Sequence, residues 1–271
     1  MLLNVLRIND LENTAEKFPQ YFFAQVPFCA IIIIIISIRG FVGMNLVAVL
    51  AGGVGSRMDL GLPKQFYKLA GKTVLEHAVE AFESHAGVDR IVIVMHGDYV
   101  ERARELVAQN GWQKVVGVIA GGTTRFGSSE AAIRFFADAD GDAKLLLHDG
   151  ARPLVSRAVI DRVLEALDSY AAVNVGLMPK DTIVEVDSQG LVVAVPERSR
   201  LSAVQTPQGF RLGVIRLAYE LAGSDDSFTD DCGVVARMLP EVPIKVVAGE
   251  ARNQKLTVRE DLVFFENMLK K

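Results

Sequence analysis

The chain has 271 residues, half of them hydrophobic and 23% charged, with a formal net charge of −4 at pH 7. That size and apolar share suit one sizeable globular domain, and the mild negative charge excludes the broad basic footprint of a nucleic-acid or anionic-membrane binder. The two cysteines, Cys29 and Cys232, lie far apart without metal-ligand spacing, which argues against a disulfide scaffold or zinc site and fits a reducing cytoplasm.

Residues 1–43 differ from the rest. Residues 26–38 form an apolar run with isoleucine at every position from 31 to 36. The run is shorter than the roughly 20 residues that span a bilayer, so no stable membrane span is expected. Acidic residues precede it and Arg39 follows it, which suits a signal peptide poorly. The expectation is that Met44 is the natural start and residues 1–43 an atypical leader, with a membrane-surface anchor as the alternative.

From Met44 onward, short apolar runs alternate with amphipathic stretches. Segments 45–50, 91–95, 115–119, 144–148 and 173–177 read as buried strands. Thr73 to Glu76 form a capping box that opens a helix with Val74, Leu75, Ala78, Val79 and Phe82 as its apolar stripe. A second helix is expected over about 99–109, and a third after Ser128. Ser156 caps a fourth whose Val159, Val163 and Leu164 face inward, and a second capping box, Thr257 to Glu260, opens the closing helix. Strands alternating with helices predict an α/β, Rossmann-like domain over 44–271, a mostly parallel sheet covered on both faces. One segment breaks the alternation. Runs 182–187 and 191–195 joined by Ser188, Gln189 and Gly190 read as an inserted β-hairpin arm around 181–199.

The chemistry concentrates after the first strand. Leu50-Ala51-Gly52-Gly53-Val54-Gly55-Ser56-Arg57-Met58 is followed by Pro63-Lys64-Gln65-Phe66. In an open parallel sheet, ligands bind beyond the carboxyl ends of the strands, and glycines there let backbone N–H groups approach a triphosphate. Arg57 and Lys64 are spaced to reach the same phosphates. The segment is not a dinucleotide fingerprint, because Met58 stands where the third glycine belongs. It is not a Walker A loop either, since no Gly-Lys-Ser/Thr follows.

These motifs resemble the methylerythritol-phosphate and ribitol-phosphate cytidylyltransferases. Further signatures of the same family occur in order: Gly121-Gly122 with Arg125 and Ser128, His148-Asp149 with Arg152-Pro153, and Lys180-Asp181-Thr182-Ile183. Gln205-Thr206-Pro207-Gln208, Thr229-Asp230-Asp231, and Asn253 with Lys255 and Thr257 follow. The resemblance implies transfer of CMP from CTP, with Mg²⁺, to a polyol phosphate, releasing pyrophosphate. It assigns Arg57 and Lys64 to the triphosphate, and Leu50, Ala51, Gly52, Gly53, Gly122, Arg125 and Ser128 to the nucleotide. Asp149, Thr182, Arg198, Thr206 and Lys255 would hold the polyol phosphate, with Arg198 and Lys255 counted among the catalytic cations. Asp149 is the candidate for Mg²⁺ or the polyol hydroxyls, or else it caps the loop that Arg152 and Pro153 continue. The arm carrying Thr182 and Arg198 would cross to a partner in a homodimer.

The acceptor is open between two polyols. Leu50-Ala51-Gly52-Gly53, Pro196, Cys232 and Ser202 in place of an aromatic lean toward ribitol 5-phosphate. Lys180-Asp181-Thr182-Ile183 and the stretches around Thr206 and Asp149 lean toward 2-C-methyl-D-erythritol 4-phosphate. The balance favours ribitol slightly. A sugar-phosphate or molybdopterin nucleotidyltransferase is the alternative enzyme, and a non-catalytic nucleotide-binding module the alternative outside catalysis. His77, His85 and His96 read as structural or loop residues, His148 as a positioning residue, and Cys232 as a small buried hydrophobe on a helix.

Overall fold

Strand β1 (Asn45–Ala51) is buried along nearly its whole length because it lies inside a sheet covered on both faces. The computed structural model describes residues 43–53 and 62–270. Arg57 and the leader lie outside the described residues. Every element below belongs to the compact unit Gly40–Lys271.

After β1 come a two-residue hairpin, β2 (Lys68–Leu69) and β3 (Lys72–Thr73), and helix α1 (Val74–Glu83). The capping box forms as its residue types dictate: Thr73 Oγ1 accepts from the Glu76 N–H, and the Glu76 carboxylate accepts from the Thr73 N–H. Such a cap contributes about 1 kcal/mol. The five expected stripe residues are the buried ones. Next come β4 (Arg90–Met95), α2 (Val100–Asn110), β5 (Val115–Ala120), α3 (Arg125–Phe135), β6 (Lys144–Asp149), α4 (Arg157–Ala166) and β7 (Ala172–Leu177). The five strands read from the apolar runs all form. Ser156 caps α4 as expected, its hydroxyl accepting from the Val159 N–H.

Two helix starts differ from expectation. α3 begins at Arg125, not after Ser128, because Thr124 is the better cap: its hydroxyl accepts from the Gly127 N–H at 3.1 Å. The closing helix, α7 (Asp261–Leu269), does not use Thr257 and Glu260 as a capping box. Asp261 Oδ2 instead accepts from the N–H groups of Thr257 and Val258, at 2.7 and 2.9 Å. A carboxylate one residue further on takes both donors, leaving Thr257 no capping role.

Past the arm, formed by β8 (Glu185–Val186) and β9 (Val192–Ala194), lie β10 (Ala203–Arg211), α5 (Leu212–Ala222), α6 (Asp231–Met238) and β11 (Ile244–Ala248). The main sheet runs β11-β7-β10-β6-β1-β4-β5, with β10 antiparallel to both neighbours and every other pair parallel. One face packs Val47, Val49, Ile91, Ile93 and Val173 against α1, α2 and α4. α3, α5 and α6 cover the remaining sheet surface, contacting β1, β10 and β7 respectively. The chain leaves β1 toward β4 and β5, then returns to the other side of β1 as β6. The strand order therefore reverses between β1 and β6, where α/β sheets open a ligand crevice.

The arm is a real hairpin, closed at Gly190 with φ +82°, a left-handed conformation that glycine adopts without strain. Ile183, Val186, Leu191, Val193 and Val195 on it are exposed. Among the described residues, no helix is long and apolar enough to cross a membrane.

Candidate active site

A cleft of about 320 Å³ opens at the carboxyl ends of β1 and β6. Leu50, Gly52 and Gly53 form one wall; Gly122, Arg125 and Ser128 form another. Lys64, Asp149 and Lys255 reach in from three further segments. The structure thus gathers into one space most of the residues assigned to the nucleotide and two of the assigned cations.

Gly122 and Gly127 approach closely because neither has a side chain. A Cβ on Gly122 would stand 2.7 Å from the Gly127 Cα, so the turn into α3 cannot carry a larger residue without moving. Ser128 lies in the first turn of α3, its hydroxyl donating to the Thr124 carbonyl at 3.0 Å. Thr123 and Thr124 also line the cleft.

Lys64 is buried, and its ammonium donates to the Leu256 carbonyl at 2.7 Å. That bond ties the Pro63-to-Phe66 turn to the segment carrying Lys255. The Lys255 ammonium lies 3.0 Å from Asp149 Oδ2. Arg125 and Arg152 each approach the same carboxylate at 3.5 Å. Burial alone would raise the Asp149 pKa, but the Lys255, Arg125 and Arg152 cations outweigh it and hold the group well below the usual carboxylate range.

Arg125 is a brace as much as a lining residue. Its Nη2 donates to the fully buried Asp231 at 2.7 Å, and the Tyr219 hydroxyl donates to the other oxygen of that carboxylate at 2.7 Å. Burial would ease the proton off Arg125, yet Asp231 and Asp149 more than reverse this and keep it charged. Among the described residues, Lys64, Arg125, Arg152 and Lys255 gather around this cleft with the carboxylates Asp149 and Asp231, an arrangement that can meet a polyanion.

The Gln205-to-Gln208 motif supports this cleft from behind. Thr206, read in the sequence as an acceptor-binding residue, is buried and does not line the cleft. Its hydroxyl accepts from the Asp149 N–H at 3.0 Å and lies 3.1 Å from His148 Nδ1. Gln205 and Asn253 bond each other, and Gln208 Oε1 accepts from the Asp231 and Cys232 N–H groups. The physical reason is the register of β10, which places these side chains between β6, β7 and α6. Thr206 thus positions Asp149.

His148 completes this support. It is wholly buried, and burial lowers its pKa to about 4, so the ring is neutral at neutral pH. Nε2–H donates to the Arg152 carbonyl at 3.1 Å, leaving Nδ1 to accept from the Thr206 hydroxyl. Both nitrogens are bonded within the fold, and the wholly buried ring does not line the cleft, which suits positioning. Cys232 is buried on α6 and its thiol pKa is pushed up, mainly by burial, as a small core residue requires.

Other expected residues lie elsewhere. Thr182 and Arg198 are exposed on the arm and do not line this cleft; Arg198 Nη1 donates to the Lys180 carbonyl at 2.9 Å. Asp149 does not fit a metal ligand, because its oxygens already balance three cations. Among the described residues, no group of three His, Cys, Asp or Glu could hold a metal ion.

The model of the family described as 2-C-methyl-D-erythritol 4-phosphate cytidylyltransferase matches residues 45–271. An enzyme of that name from Thermobifida fusca is 46% identical over 229 residues, covering 82% of this chain and 92% of the relative. A bifunctional ribulose 5-phosphate reductase/CDP-ribitol pyrophosphorylase from Haemophilus influenzae is 39% identical over 83% of this chain, but only 48% of its own length. Among solved structures, the 4-diphosphocytidyl-2C-methyl-D-erythritol synthase of Anaerococcus prevotii superposes with a TM-score of 0.74 at 26% identity, covering 84% of this chain and 99% of that one. The chain belongs to the 2-C-methyl-D-erythritol 4-phosphate cytidylyltransferase family and is a nucleotidyltransferase.

Proposed function

We propose that the enzyme transfers CMP from CTP to 2-C-methyl-D-erythritol 4-phosphate, giving the CDP-polyol and pyrophosphate. The observation that carries this choice is the match to the Thermobifida relative along nearly its full length. The ribitol reading leaned partly on Ser202, which does not line the cleft. Ser202 Oγ fills the space above Gly176, where an added Cβ would meet it at 2.0 Å, so serine there answers to strand packing.

The geometry supports a reaction that needs no protein base. The attacking phosphate oxygen of the acceptor is already ionised at neutral pH, so the barrier lies in bringing two anions into line and balancing the charge that develops. The oxygen attacks the α-phosphorus, the bond to the β-phosphate bridge breaks, and pyrophosphate leaves with the electron pair. Among the described residues, Lys64, Arg125 and Lys255 are the cationic side chains that line the cleft, and Gly52, Gly53 and Gly122 supply backbone at close range. Mg²⁺ enters as part of the CTP substrate. The substrates and the cysteine usage suit the cytoplasm.

Pyrophosphate release from CTP, measured with the two polyol phosphates in parallel, tests the acceptor. Methylerythritol phosphate should give the higher kcat/KM. A preference for ribitol 5-phosphate would overturn this choice and restore weight to the local motif differences.

The arm supports a shared site. Its exposed apolar residues suit burial against a second copy, and Arg198, assigned to the acceptor phosphate, lies outside this chain's own cleft. Mixing Lys64→Ala and Arg198→Ala subunits tests this. Hybrid dimers should regain one working site and part of the lost activity. Hybrids shown to form but remaining silent would reject the shared site.

A further inference from the structure

We infer that Gln65 is a nucleotide-positioning residue, which holds two backbone carbonyls of the glycine segment away from the incoming triphosphate. The inference rests on cytidylyl transfer and not on which polyol accepts it.

Gln65 lines the cleft yet is only 2% exposed. Its Nε2 donates to the Ala51 carbonyl at 2.9 Å and to the Gly53 carbonyl at 2.6 Å. One carboxamide thus uses both its hydrogens on two carbonyls that flank Gly52, where β1 ends and the nucleotide wall begins. Its Oε1 is buried and has no hydrogen-bond partner among the described residues.

That asymmetry is informative. A buried amide kept for packing alone would be expected to satisfy both ends. Here the donor end is fully used and the acceptor end is left bare, so what the fold retains is the pair of donors. The need is electrostatic: a carbonyl lone pair facing a triphosphate repels it, whereas an N–H attracts it. The two hydrogen bonds orient both carbonyls toward Gln65. A lysine there would supply donors but add buried charge, and a glutamate would set acceptor against acceptor. The neutral –NH₂ is the one group that donates twice in a plane without charge. Gln65 neighbours Lys64 on the same short turn, but the two are anchored separately, Lys64 to the Leu256 carbonyl and Gln65 to the glycine segment.

Gln65→Glu preserves shape and reverses the interaction; Gln65→Met preserves volume and removes it. CTP affinity, measured directly on each variant with Mg²⁺ and no acceptor, should weaken roughly tenfold or more. In turnover, KM for CTP should rise with it, while kcat at saturating CTP and KM for the acceptor stay within about twofold. Wild-type CTP affinity in folded Gln65→Met would overturn the proposal. So would equal rises in both KM values accompanied by a loss of melting temperature, which would mark a packing role. Should Gln65→Glu fail to fold, Gln65→Met decides alone. Because binding is read without an acceptor, a wrong choice of polyol leaves this result unaffected.

Discussion

Lys64→Met should lower kcat by about two to three orders of magnitude, the usual loss when one preorganised charge donor to a transition state is removed. Methionine keeps the buried stem and deletes the ammonium, so packing around the Pro63-to-Phe66 turn is retained. The bond to the Leu256 carbonyl goes too, and one hydrogen bond from a charged donor contributes about 1.5–3 kcal/mol. The fold should tolerate that loss, so melting temperature should fall only modestly while turnover collapses. Pyrophosphate release alongside thermal unfolding separates the two effects. Turnover near wild type in the folded variant would remove Lys64 from the chemistry. A collapse of both together would make it a structural link between its turn and the Lys255 segment.

Asp231→Ala should be the most destabilising single change around the site. Asp231 is fully buried, and it accepts from Arg125 and from the Tyr219 hydroxyl at 2.7 Å each. Removing one member of a buried ion pair costs about 3–5 kcal/mol, because the other charge remains without compensation. Arg125 is about a quarter exposed and also faces Asp149, so water and that carboxylate take over part of its charge. The expected loss is therefore near the lower end, about 3 kcal/mol, and a fall in melting temperature on the order of 10 °C. Arg134→Ala breaks an exposed pair with Glu130 one helical turn away, and should cost no more than a few tenths of a kcal/mol. Denaturant unfolding of both variants reads the contrast. Similar small losses in the two would show that the Asp231 link does not hold α3 to α6.

These expectations draw on two kinds of information, and the residues separate them. Five of the parallel strands, β1, β4, β5, β6 and β7, were legible because each is an apolar run bounded by polar residues, and α1 because Thr73 and Glu76 are three apart before an apolar stripe. β10 was not, since Gln205, Thr206, Pro207 and Gln208 carry none of the alternation of a strand. It forms because it fits between β6 and β7, a condition no local window contains. β11 was unread for the same reason, whereas α5 carries its own apolar stripe of Leu212, Ile215, Ala218, Tyr219 and Ala222 and was legible in principle.

The site divides along the same line. The glycine segment, Lys64, Asp149 and Lys255 stood out as residue types suited to phosphate chemistry, and they do meet in one cleft. What those residues touch was decided by tertiary packing alone. Thr206 looked like a ligand contact and is a buried support for Asp149 and His148. Arg125 looked like part of the nucleotide wall and also braces Asp231, more than a hundred positions away in sequence. Asp149 looked free to take a metal and is held by three cations from three segments. The amino-acid sequence by itself pointed to phosphate chemistry through the glycine segment with Arg57 and Lys64, and to cytidylyl transfer through the resemblance that its ordered motifs carry. Only the folded chain decided which polar groups face substrate and which face one another, since hydrogen bonds and ion pairs depend on distances that sequence separation does not record.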